Sequence, residues 1–86
     1  MPYEIAFSQQ ARRQMRRLGR IPAYPRIEAA IDALAIEPRP VGSLKLSIRS
    51  GYRIRIGAYR VIYEIDDEVR IVSVTRVGHR SSVYLD

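Results

Sequence analysis

The chain has 86 residues, 47% of them apolar, with no cysteine, one histidine and a net charge of +6. A body this small holds one sheet and one helical layer; the missing thiols exclude a disulfide framework or thiolate metal site, and a lone histidine leaves little for zinc. Fourteen arginines and a single lysine, Lys45, imply an acidic partner, either nucleic acid or an acidic protein segment.

Residues 2–7 alternate, with Tyr3, Ile5 and Phe7 on one side, and predict a short first strand. Ser8 is a helix N-cap candidate, and Ala11, Met15 and Leu18 recur at helical spacing up to Gly19, a left-handed stop signal. The outer face of this helix carries Arg12, Arg13, Arg16 and Arg17, a charge cluster of the kind that is usually solvated. Pro22 and Pro25 open a second helix, where Ile27, Ala30, Ile31 and Leu34 form an apolar stripe; Pro38 and Pro40 end it. In residues 38–50, Val41, Leu44, Leu46 and Ile48 fit an irregular strand or a packed loop. Lys45 and Arg49 lie there, near enough in sequence to border the surface that follows.

Residues 51–65 contain two alternating runs around Gly57-Ala58, which predicts a hairpin with a two-residue type II′ turn. That loop length sets Ile56 against Tyr59, Arg55 against Arg60, Ile54 against Val61 and Arg53 against Ile62. One face is then apolar, and the other carries Arg53, Arg55, Arg60, Ile62 and Glu64. Like charges placed opposite one another disfavour strand pairing. Three guanidinium groups on one sheet face therefore point to an external anion, most simply a phosphate, or else to arginines held apart by salt and solvent.

Asp66-Asp67-Glu68 predicts an acidic turn, followed by a strand from Val69 to Val77. A three-residue loop would pair Glu64 with Arg70 and Ile65 with Val69. Arg70, Val72, Val74 and Arg76 would then extend the cationic face, with Val69, Ile71, Ser73, Thr75 and Val77 on the core side. Gly78 is a turn signal that allows the tail to fold back toward the cationic edge. The order β-α-α-β-β-β gives a small single α+β domain over residues 1–86, an antiparallel sheet with an αα-hairpin packed on one face. The sequence leaves the strand order open.

The pattern Tyr-Arg-x-x-Tyr at Tyr59 to Tyr63, followed by His-Arg-x-x-Val-Tyr at His79 to Tyr84, resembles the RelE/ParE toxin superfamily of bacterial type II toxin–antitoxin pairs. The resemblance spans nearly the whole chain. Its RelE branch implies a ribosome-dependent mRNA endonuclease that uses the 2′-OH as internal nucleophile, with no metal or other cofactor. It implies catalytic roles for Arg53 and Arg55 before the turn, Arg60 after it, and Arg80 and Tyr84 in the tail. With the residues flagged above, the expected RNA-binding set is Arg53, Arg55, Arg60, Arg76, Arg80, Tyr84 and Lys45. Tyr84 is placed to stack on a base next to the cut, or else to pack in the core. The family often has lysine at the pre-turn positions; arginine, whose guanidinium keeps its proton, is a poor base. Proton transfer is therefore expected of His79, the one side-chain type here whose ordinary pKa lies near neutrality, with Glu64, on the cationic face, as an outside candidate for the base. A turn-forming role for His79 stays open.

The resemblance also implies a cognate antitoxin, an acidic segment that covers the cationic face. The ribosome and mRNA are the expected targets on the RelE side, and DNA gyrase, blocked without cutting, on the ParE side. A relative active only in antitoxin binding is a third possibility. With no apolar run of 18 residues and no signal pattern at the N-terminus, the protein is expected to be cytoplasmic, with no membrane partner.

Overall fold

In the computed structural model, which describes residues 2–47 and 49–82, the order is β1 (Glu4–Phe7), α1 (Gln9–Leu18), α2 (Tyr24–Ala33), β2 (Leu44–Lys45), β3 (Tyr52–Ile56), β4 (Tyr59–Asp66) and β5 (Ile71–His79). One five-stranded sheet runs β1-β5-β4-β3-β2. The ladders from β2 to β5 are antiparallel as expected, whereas β1 joins β5 in parallel, so the sheet is mixed. The open stretch from residue 38 to 50 resolves into a loop with a two-residue strand; Ile48 lies outside the described residues.

Local chemistry sets the helix ends. Ser8 caps α1, its hydroxyl accepting from the Ala11 N–H at 3.0 Å. Gly19 does not adopt the expected left-handed stop: its φ is −61°, and its N–H bonds the Arg16 carbonyl at 3.3 Å in a tightened last turn. Pro25 sits in the first turn of α2, where a missing N–H costs nothing. The two helices lie across one sheet face, packing Ala11, Ala23, Ile27, Ile31 and Leu34 against Ile54, Ile56, Val61, Tyr63, Val72, Val74 and Val77. No helix among the described residues is long and apolar enough to cross a membrane.

The hairpin forms in the predicted register, with Gly57 at φ +61° supplying the first position of the II′ turn. Gly51, at φ +112°, is needed on a second ground: a Cβ there would lie 2.7 Å from the Tyr63 carbonyl.

The β4–β5 register is the main correction. The connection holds four residues, because Asp66 accepts through Oδ1 from the N–H groups of Glu68 and Val69, and Arg70 closes it at φ +60°. Asp66 therefore pairs with Ile71, Ile65 with Val72 and Glu64 with Ser73. Val72 and Val74 are fully buried in the core rather than on the cationic face, and Val69 is exposed. Glu64 thus stands opposite Ser73 rather than Arg70: it accepts from the Ser50 hydroxyl at 3.2 Å, and Arg70 lies over the Tyr3 ring at 4.5 Å. A β-bulge between Ile62 and Tyr63 then restores the phase, with Ile62 opposite Arg76 and Val61 opposite Val77. The Ser8 hydroxyl donates to the Thr75 carbonyl, and the Gln14 side-chain oxygen accepts from the Val77 N–H at 2.7 Å. Both contacts satisfy β5 backbone groups beyond Val74, where the pairing with β1 ends.

Candidate functional site

The sheet face turned away from the helices carries the arginines. One cross-strand row is Leu44–Arg53–Ile62–Arg76, and the next is Arg55–Arg60–Gly78. Partners across a ladder share a face, so β3 contributes Arg53 and Arg55, β4 contributes Arg60 and β5 contributes Arg76. Beyond β5 the Arg80 N–H bonds the Ala58 carbonyl at 2.8 Å, and the Ser82 N–H bonds the His79 carbonyl at 2.9 Å. The tail thus turns against the hairpin loop, and Arg80 stands beside the row that holds Arg55 and Arg60.

Exposure differs along this surface. Arg55 and Arg80 are exposed and Arg60 is half-buried; Arg53 is only 7% exposed. Arg60 turns Nη1 toward the carbonyls of Gly57 and Tyr59 at 3.4 and 3.3 Å, weak contacts that steer its head along the turn. Arg39 forms an ion pair with Asp67 at 2.9 Å, and among the described residues no carboxylate pairs with Arg53, Arg55, Arg60 or Arg80. Within those residues the positive face is not neutralised at these four arginines.

The other expected site residues fall elsewhere. Lys45 is exposed but pairs with Tyr52, which puts it on the helix side of the sheet rather than beside Arg53. His79 pairs with Tyr59, its ring edge-on to the tyrosine at 5.5 Å, and lines a pocket of about 280 Å³ with Gln14, Arg17 and Tyr59. It lies around the rim from Arg60, not in its row. The Nδ1 of His79 accepts from the Ser81 N–H at 3.2 Å and lies 2.8 Å from the Ser81 hydroxyl, so in the neutral ring Nε2 carries the proton. Tyr84 lies outside the described residues. The arginines of α1 are exposed on the opposite layer.

A second cluster fixes the loop that borders this face. Tyr63, fully buried, donates its hydroxyl to the Pro38 carbonyl at 2.7 Å, and burial pushes its phenol up to about 12. Arg39 donates to Asp67 and to the Tyr52 hydroxyl, and Tyr3 donates to Asp67 at 2.6 Å. The Arg39 and Tyr3 hydrogen bonds hold the Asp67 carboxyl below its ordinary value. These contacts join residues 13 to 64 positions apart, and the only sequence signal for them is the pair of prolines flanking Arg39.

The profile of the family described as "ParE toxin of type II toxin-antitoxin system, parDE" matches residues 5–84. Toxin RelG of Mycobacterium tuberculosis is 36% identical over 85 residues, 98% of each chain. Toxin RelE of the same organism is 31% identical over 84 residues, 96% of this chain and 87% of the relative. The isolated E. coli RelE toxin superposes with a TM-score of 0.78 at 27% identity, over 95% of this chain and 90% of that one. A chain of the archaeal RelE–RelB complex from Pyrococcus horikoshii gives 0.76 at 25% identity, over 95% and 99%. Profile, relatives and fold agree: the chain belongs to the ParE toxin family of type II toxin–antitoxin systems, within the RelE/ParE superfamily.

Proposed function

We propose that this toxin is a ribosome-dependent endoribonuclease, acting in the cytoplasm and held inactive by a cognate antitoxin that covers the arginine face. The observation that carries this reading is the Arg55–Arg60 cross-strand pair, with Arg80 docked beside it and no carboxylate among the described residues to neutralise the three. In the proposed reaction the ribose 2′-oxygen attacks the adjacent phosphorus, giving a 2′,3′-cyclic phosphate and releasing the 5′-oxygen as an alcohol. Arg55, Arg60 and Arg80 stabilise the negative charge that builds on the phosphoryl oxygens, with Arg53 behind them. One proton leaves the 2′-OH and another reaches the 5′-oxygen. His79 faces the Tyr59 side of the sheet, away from these arginines, so neither proton is assigned to it, and Glu64, on the arginine face of β4, is the remaining candidate base. Tyr84 is assigned to stacking on the base beside the cut.

Two features favour a second reading, gyrase inhibition without cleavage: the matching profile is that of ParE toxins, and arginine fills both pre-turn positions. Inducing the toxin alone separates the two. The nuclease reading expects new mRNA 5′ ends inside translated codons, reduced about 10²–10³-fold by Arg80→Ala, with DNA supercoiling unchanged. Intact messages with altered supercoiling overturn it.

A further inference from the structure

Pro40 to Ser43 form a tight turn, closed by the Ser43 N–H on the Pro40 carbonyl at 2.9 Å, with Gly42 at φ +95°. Positive φ at the third residue makes this a type II turn. It places Val41 at the corner, fully exposed at 107%, where a β-branched apolar side chain gains nothing from the fold. The turn is held from behind, because Tyr63 grips the Pro38 carbonyl and Asp67 grips Arg39. Leu44, 54% exposed, follows the turn and stands opposite Arg53.

Between this turn and β3 lies a pocket of about 440 Å³, lined by Val41, Gly42, Arg53, Ile54 and Arg55. It opens at the β3 edge where β2, only two residues long, stops pairing. Arg53, though only 7% exposed as a residue, lines the pocket beside Arg55, and no carboxylate among the described residues pairs with either. Two like charges on one pocket wall repel. An anion entering the pocket relieves that repulsion, and the apolar corner beside it suits a flat ring.

We propose that this pocket holds the nucleotide next to the one being cut, its phosphate on Arg53 and its base against Val41 and Leu44. The proposal rests on the reading of the arginine face as an RNA site, and it makes Val41 and Leu44 determinants of sequence preference. Arg53 then serves a neighbouring phosphate, while Arg55, Arg60 and Arg80 serve the one that reacts.

The test uses 2′-O-methyl trinucleotides, which bind but offer no 2′-nucleophile, titrated into the purified toxin with methyl NMR as the readout. The Val41 and Leu44 methyl resonances are expected to shift, and the affinity to fall about three- to tenfold in Val41→Asp and at least about tenfold in Arg53→Gln. Because Arg53 is buried and its variant is at risk of misfolding, Val41→Asp, at an exposed corner, is decisive alone. A trinucleotide abasic at each position is expected to bind several-fold more weakly. Unshifted methyls, an unchanged affinity in Val41→Asp or equal affinity for the abasic probe each overturn the pocket. Methyls that shift in a protein that never cuts ribosomal mRNA support the pocket and overturn the nuclease reading. Cutting with unshifted methyls does the reverse.

Discussion

Arg55→Gln and Arg60→Gln, made singly and together, measure whether the fold itself favours two guanidinium groups held face to face across the hairpin. Like charges directly opposite on a sheet destabilise by about 0.2–1 kcal/mol relative to a neutral pair. For a domain of this size 1 kcal/mol moves Tm by about 4–8 °C. Removing Arg55, which is exposed, is therefore expected to raise Tm by about 1–8 °C. Arg60→Gln gains less, because it gives up the contacts to the Gly57 and Tyr59 carbonyls. The double-mutant cycle should show an unfavourable Arg–Arg coupling at 0.1 M salt that shrinks toward zero at 1 M, as the Debye length falls from about 10 Å to about 3 Å. Thermal and urea unfolding followed by far-UV circular dichroism at the two salt concentrations gives all four corners. Both variants should lose RNA cleavage by about 10²–10³-fold while becoming no less stable. If Arg55→Gln lowers Tm, or the coupling proves favourable, the arginines serve the fold and the reasoning from charge to polyanion fails.

Tyr63→Phe removes the hydroxyl from the buried Pro38 carbonyl and is expected to cost about 1–3 kcal/mol in urea unfolding. It should also weaken trinucleotide binding at Val41, since the turn loses its rear anchor. Asp67 gives an acid-dependent contribution. Its carboxyl is held below the ordinary 3.8 by Arg39 and then Tyr3, so its stabilisation is present above that value and is lost as pH falls through the lower folded value. Wild-type Tm should drop over that window, and Asp67→Asn should start lower and vary less with pH; equal slopes would show that the clasp carries no such linkage.

Most of the site was legible in the sequence because it is local. A two-residue Gly-Ala loop admits one register, so the four hairpin pairs from Arg53–Ile62 to Ile56–Tyr59 follow from chain geometry alone. The β4–β5 register was not legible, because nothing in Asp67-Glu68-Val69-Arg70 signals that a non-glycine will take positive φ. Ser8 and Gln14 bond β5 backbone groups 67 and 63 residues away beside the bulge, and separations of that length leave no trace in periodicity. Arg76 reached the expected face through two departures that cancel, a longer loop and a bulge. The placement of His79 illustrates the cost of reading neighbours in sequence as neighbours in space: alternation sends it to the Tyr59 side and Arg80 to the other.

What keeps mutually repelling cations in place is the reverse side of the strands that bear them. Ile54, Ile56 and Val61 alternate with Arg53, Arg55 and Arg60 on β3 and β4, and each is at most 8% exposed. Burying such a side chain contributes about 1.5–3 kcal/mol, so three outweigh a cross-strand repulsion of about 0.2–1 kcal/mol several times over. The strand positions that bear the arginines cannot separate without lifting those residues from the core. Arg80 joins by a different route: its backbone, not its side chain, is tied to the hairpin loop through Ala58. The bulge makes this geometry reachable, because it lets β5 bury Val72 and Val74 near its start and Val77 near its end. Without that one-residue shift either the valines or the arginine face would be out of phase, and the loss of β5 alignment would carry Arg80 away from Arg55 and Arg60.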